Sequence, residues 1–124
     1  WPRFDWVFLG LGADGHTASL FPGSPTIEPE PPVIGVVAHY GNRPADRITL
    51  TPTVFNTARA VAFLVTGGDK ADAVASTFHA SFDPVRWPAQ RIMPTDGKVT
   101  WWLDVAAAGG AQPSGLYREG SERE

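Results

Sequence analysis

Near the start of the chain, Asp14 and His16 stand two residues apart inside the stretch FLGLGADGHTASLFPG, residues 8–23. That pair can do acid–base chemistry. An imidazole titrates near neutral pH, so it can take a proton from water and later return one to a leaving group. A carboxylate so close can orient the ring, or hold the loop as an Asx-type turn residue by accepting from backbone N–H groups. The bland alternative for His16 is a packed histidine beside a turn. Gly10, Gly12 and Gly15 complicate the reading, because their spacing is the G-x-G-x-x-G of dinucleotide-binding loops.

The dinucleotide reading fails on its surroundings. That fingerprint needs a strand before it and a long helix opening at its end, whose N-terminus holds the pyrophosphate. Residues 4–9 (FDWVFL) supply the strand, but Pro22 and Pro25 allow about one helical turn at residues 17–20. The acidic residue expected roughly 20 positions on has candidates in Glu28 and Glu30. Both lie among prolines, ahead of the next strand. The glycines then serve a sharp turn at the C-terminal end of a strand, where open α/β sheets place their ligands. Their N–H groups are candidates for stabilising an oxyanion.

Residues 4–9 form a continuous apolar run, which predicts a strand buried on both faces, as in a parallel sheet. Residues 24–32, with Pro25, Pro29, Pro31 and Pro32, predict an exposed loop. A second strand is expected at residues 33–38, a turn-rich connection at 40–46 and a third strand or extended segment at 47–51. Thr51-Pro52 reads as an N-cap followed by proline at the first helical position, so a helix should run to about residue 59 with Val54, Phe55 and Ala58 inward. Residues 60–66 form the strongest strand, ended by Gly67-Gly68. A helix follows at residues 69–80, with Ala73, Val74, Thr77 and Phe78 on one face, then a turn-rich stretch at 81–97 and a last strand at 99–103. Asp104 would cap a short helix through Ala108, and the Gly-, Ser- and charge-rich residues 109–124 should form a flexible tail.

Strands alternating with helices predict an α/β fold with a parallel sheet and right-handed crossovers. Without a full second layer the core would be thin. The sequence opens at Trp1 and enters a strand within three residues, so we expect a partial domain lacking its N-terminal half. The net charge of -3 and the lack of a basic stripe argue against nucleic acid as a partner. Cysteine is absent, which excludes disulfides and thiolate metal sites and fits a cytoplasmic protein. No apolar run approaches the roughly 20 residues that span a bilayer, so no membrane partner is expected. His39 and His79 show no ligand spacing with each other or with His16, and no metal site is expected.

The stretch LGLGADGHTASLFPG resembles the signature loop of 6-phosphogluconolactonases. RITLT at residues 47–51, Asn56 to Arg59, Phe63 to Gly67 with Lys70-Ala71, Trp87-Pro-Ala89, Pro94 and TWWLD at 100–104 resemble further blocks of that family, in the same order. The likeness covers about residues 3–108. It implies a Rossmann-like parallel sheet with flanking helices, in a single domain of which residues 1–108 form the C-terminal part. It implies hydrolysis of 6-phospho-D-glucono-1,5-lactone in the pentose phosphate pathway, with no metal and no organic cofactor. The family's phosphate loop and Asp-Glu-Arg block are not in this sequence.

On this reading His16 is the general base and Asp14 orients it, with Gly10, Gly12 and Gly15 lining the substrate. Arg47 and Lys70 would bind the phosphate, which a guanidinium matches in bidentate fashion. Lys70 lies in the first turn of its helix, where a cation opposes the dipole; a bound anion at that helix N-terminus would resolve the conflict. As bland alternatives, Lys70 is a solvated lysine and Arg47 an exposed strand end or a partner of Asp46. The sister deaminases place a carboxylate five residues after the histidine, and this chain has Phe21 there. That argues against an amino-sugar phosphate isomerase. A non-catalytic sugar-phosphate-binding module, or a piece that does not fold stably by itself, are the other readings.

Overall fold

A computed structural model of the chain describes residues 1–40 and 43–110. In chain order its elements are β1 (Val7–Leu9), β2 (Val33–Tyr40), β3 (Arg43–Leu50), α1 (Pro52–Phe55), β4 (Ala60–Val65), α2 (Ala71–His79) and β5 (Lys98–Leu103), with 3₁₀ turns at Gly68–Lys70 and Pro88–Arg91. Of the expected tail at residues 109–124, Gly109 and Gly110 lie in a turn and residues 111–124 lie outside the described residues. No helix among the described residues is long and apolar enough to cross a membrane.

β1, β4 and β5 form a parallel sheet in the order β1-β4-β5. The register pairs Leu9 with Phe63, and Phe63 with Trp101. Alternation along β4 sends Val61, Phe63 and Val65 to one face, where they cluster with Ala73 and Val74 of α2. Phe63 and Trp101 stack with ring centroids 3.9 Å apart, and Phe78 meets Trp101 edge-on at 5.0 Å. This is the β-α-β unit that the alternation of strong strand and amphipathic helix predicts. Phe63 is fully buried, so truncating it to alanine costs about 3–5 kcal/mol.

The opposite face differs from expectation. β1 is not buried on both sides: Leu9 is 8% exposed but Phe8 is 65% exposed. On that face Phe8 and Leu64 meet solvent, while Ala62 between them is buried. Trp101 and Trp102 split in the same way, at 6% and 62% exposure.

The second and third strands do not join the parallel sheet. β2 and β3 pair antiparallel as a separate hairpin, with Val33 opposite Leu50 and Val36 opposite Arg47. Chain length decides this. A parallel crossover needs a dozen or more residues, and too few separate these strands. The expected turn-rich connection is accordingly strand from Arg43 onward, and residues 41–42 lie outside the described residues.

α1 is shorter than expected, four residues instead of eight. The Thr57 and Ala58 N–H groups close tight turns onto the Val54 and Phe55 carbonyls, and the Arg59 N–H leaves for the Phe4 carbonyl at 2.9 Å. Those bonds redirect the chain into β4. Val54, Phe55 and Ala58 are nonetheless buried. Thr51 holds the N-cap position without capping by its side chain, because its hydroxyl donates to the Pro31 carbonyl at 2.6 Å. Asp104 does cap, accepting from the N–H of Ala107 at 2.7 Å and of Gly67 at 3.1 Å, but turns follow it rather than a helix.

Candidate active site

The glycine-rich loop leaves the C-terminal end of β1 and folds back on itself. The Gly12 N–H donates to the His16 carbonyl at 2.8 Å, and the Gly15 N–H to the Gly12 carbonyl at 2.9 Å. Both groups are therefore engaged inside the loop, and these two glycines shape it. Gly15 has φ of +93°, a conformation that side chains oppose. At Gly12 a Cβ would lie 2.2 Å from His16 Nδ1 and 2.7 Å from Asp14 Oδ1. Only glycine lets the Asp14–His16 pair pack against the backbone there. A Cβ at Gly10 would meet nothing within 4 Å; that residue contributes its carbonyl, which accepts from the Thr17 hydroxyl at 2.8 Å.

Asp14 Oδ1 lies 2.6 Å from His16 Nδ1 and accepts from the His16 backbone N–H at 3.0 Å. One oxygen thus makes both the ring contact and the turn-closing contact. Burial opposes charge on this carboxyl, but hydrogen bonds from the His16 backbone and ring, together with the charge of that ring, hold Asp14 below its ordinary value of 3.8. An ionised carboxylate can only accept, so in this contact Nδ1 is the donor. The Phe21 ring packs on the imidazole with centroids 4.8 Å apart. The position that would carry a carboxylate in a deaminase is here an apolar wall of the histidine.

Lys70 reaches the same loop. It ends the 3₁₀ turn that precedes α2, and its Nζ donates to the Leu11 carbonyl at 2.5 Å. Arg47 comes from the hairpin. It shares the inner face of β3 with Thr49, whose hydroxyl oxygen accepts from the Ser19 N–H at 3.2 Å, three residues beyond His16. Its cross-strand neighbour Val36 lines a groove with Phe21 and Arg91. His16, Asp14 and Lys70 therefore converge on one loop, while Arg47 stands on the strand that borders it.

One cluster escaped sequence reasoning. Residues 24–32 are not uniformly exposed: Glu30 turns inward and forms an ion pair with Arg91, their side chains 13% and 19% exposed. Glu30 also accepts from the N–H and the hydroxyl of Thr53, at 3.1 and 3.0 Å, satisfying an open donor of the first turn of α1. No local signal announces it, because the partners lie 23 and 61 residues away.

A family model described as "Glucosamine-6-phosphate isomerases/6-phosphogluconolactonase" matches residues 1–101. The chain is 42% identical over 113 residues to a 6-phosphogluconolactonase of Synechocystis sp., covering 90% of this chain and 45% of that protein. It is 40% identical over 107 residues to the human 6-phosphogluconolactonase, covering 86% of this chain and 41% of that one. Among solved structures, a 6-phosphogluconolactonase from Trypanosoma brucei superposes with a TM-score of 0.74 at 32% identity, over 90% of this chain and 43% of that chain. The chain thus spans less than half the length of these relatives.

Proposed function

The chain belongs to the glucosamine-6-phosphate isomerase/6-phosphogluconolactonase family, and from that premise we propose that it carries the catalytic histidine loop of a sugar-phosphate lactone hydrolase. The substrate in this reading is 6-phospho-D-glucono-1,5-lactone and the product 6-phosphogluconate. Residues 1–108 act as part of a single α/β domain. The observation that carries the proposal is the Asp14–His16 contact at 2.6 Å in a loop whose Gly12 admits no side chain.

The chemistry follows from the tautomer. His16 Nε2 accepts a proton from water as the water oxygen bonds to the lactone carbonyl carbon. The carbonyl oxygen becomes a tetrahedral oxyanion. As that intermediate collapses, the bond from this carbon to the ring oxygen breaks, and the imidazolium returns its proton to the departing oxygen. The carboxylic acid formed then ionises. Asp14 holds Nδ1–H throughout and stabilises the charge on the ring. Arg47 and Lys70 bind the phosphate in this proposal, with Gly10, Gly12 and Gly15 lining the sugar. Phe21 removes the carboxylate that ring-opening isomerisation would require, which supports hydrolysis over deamination.

The test is hydrolysis of freshly made 6-phosphogluconolactone, measured against its spontaneous rate, on the protein extended along its gene to family length. Fast hydrolysis that collapses in His16→Ala with folding retained is the expected result. Hydrolysis unchanged in that variant would sink the mechanism, and none from a folded wild type would sink the function. The 124 residues alone should stay near the spontaneous rate, since the family's phosphate loop lies outside them.

A further inference from the structure

One contact of the histidine loop comes from far along the chain. A Cβ at Gly15 would stand 3.0 Å from Trp87 Cε3 and 3.2 Å from Trp87 Cζ3, so the indole already lies against the Gly15 backbone. Gly15 is the link between Asp14 and His16. A glycine has little conformational preference of its own, so its geometry depends on what surrounds it. Trp87 is itself held in place. Its N–H donates to the Asp83 carbonyl at 2.8 Å, and its carbonyl accepts from the Gln90 N–H at 2.9 Å. The Asp83 N–H donates to Gln90 Oε1 at 2.7 Å, and Gln90 Nε2 donates to the Thr77 carbonyl of α2 at 3.2 Å. The Arg86 guanidinium lies 4.1 Å from the indole centroid, within cation–π range. The same segment also reaches the far end of the loop, where the Val85 carbonyl accepts from the Gly23 N–H at 2.9 Å.

We infer that Trp87 is a positioning residue for His16. The braced indole bears on Gly15, fixes the step from Asp14 to His16, and so keeps the imidazole at 2.6 Å from the Asp14 carboxylate. A tryptophan serving only the core would sit deeper. Trp101 does so, 6% exposed in the cluster around Phe63, whereas Trp87 is half-buried and stands outside that cluster. The kinetic part of the inference rests on the lactonase reading above. The part concerning the loop rests on geometry alone, and the two are read separately.

The experiment uses the family-length protein and measures two quantities. One is steady-state hydrolysis of 6-phosphogluconolactone. The other is hydrogen exchange at the Gly12 and Gly15 amides, both bonded inside the loop. Trp87→Ala should lower kcat about tenfold or more, with KM within about threefold of wild type. It should speed exchange at those two amides at least about tenfold and leave the Phe63 amide of β4 unchanged. In an Asp14→Asn background Trp87→Ala should cost less in kcat than in the wild type, because it acts through that pair. Trp87→Phe keeps an aromatic ring and should fall between alanine and wild type in both quantities; it decides the matter if Trp87→Ala fails to fold. Phe82→Ala, at a 66% exposed position of the same stretch, should change neither. The inference is overturned if Gly12 and Gly15 exchange at the wild-type rate in the Trp87 variants, or if Phe63 is deprotected equally, which would be a general loss of stability. Kinetic losses that simply add to those of Asp14→Asn would also overturn it. If the wild type hydrolyses no lactone, the lactonase reading falls, and the exchange measurement alone decides the role of Trp87.

Discussion

The histidine loop and the Glu30–Arg91 clasp are built on opposite principles. The loop closes through bonds between residues two to four apart: Gly12 to His16, Gly15 to Gly12, His16 to Asp14. The clasp ties residue 30 to residues 53 and 91, and so pins the proline-rich segment onto α1 and the 3₁₀ turn at Pro88–Arg91. A short-range device fixes atoms relative to one another. A long-range one fixes segments. Damage to the first should therefore appear in the chemistry, and damage to the second in stability.

Four changes, made in the family-length protein, sharpen or break that contrast. His16→Ala should have the largest effect, a fall in kcat of about 10³ with an unchanged melting temperature. A fall in stability instead would make His16 a packing residue. Arg91→Ala strands the Glu30 carboxylate in a largely buried site, and should cost about 3 kcal/mol in urea unfolding. The folded fraction should keep its kcat. If Arg91→Ala abolished turnover in fully folded protein, the division between loop and clasp would be false.

Gly12→Ala comes next. Its Cβ must displace the Asp14–His16 pair, and a misplacement near 1 Å costs about 10² in kcat. Steady-state kinetics beside a melting curve would show whether the loss stays in the chemistry. The smallest effect concerns acid. The folded-state pKa of Asp14 is depressed, so its contribution to stability is complete above the unfolded value near 3.8 and fades as pH falls through the lower folded value. Asp14→Asn should remove that part of the acid limb of a stability–pH profile, which equilibrium unfolding at a series of pH values would measure. An acid limb unchanged in the variant would mean that the Asp14 charge is not coupled to folding.

Legibility in the sequence follows the same division. The loop could be read because its glycines, carboxylate and imidazole are neighbours in the chain. β4 and α2 were legible from their periodicity, but Lys70, expected in the first turn of the helix, ends the 3₁₀ turn before it. What escaped depends on distance. Glu30 looked like one more polar residue among prolines until the fold brought Arg91 to it. The antiparallel hairpin was masked by Pro44 and the polar residues around it, which read as turn although an edge strand accommodates proline. β1 looked doubly buried because apolarity reports what a strand is suited to, and the described residues supply cover for only one side.

The contact from Lys70 to the Leu11 carbonyl bears on the order in which the molecule forms. It spans 59 residues, and β1 meets β4 across a similar gap, Val7 against Val61. Closing such loops costs conformational entropy before any contact compensates it, so these pairings come late. The histidine loop can turn locally at once, but its anchor to α2 waits until β4 has docked on β1. During synthesis the ribosome must release residue 70 before that anchor exists. Pulse-labelled hydrogen exchange should accordingly show amides of α2 protected before those of residues 10–16. Simultaneous protection would mean that the loop and the sheet condense together.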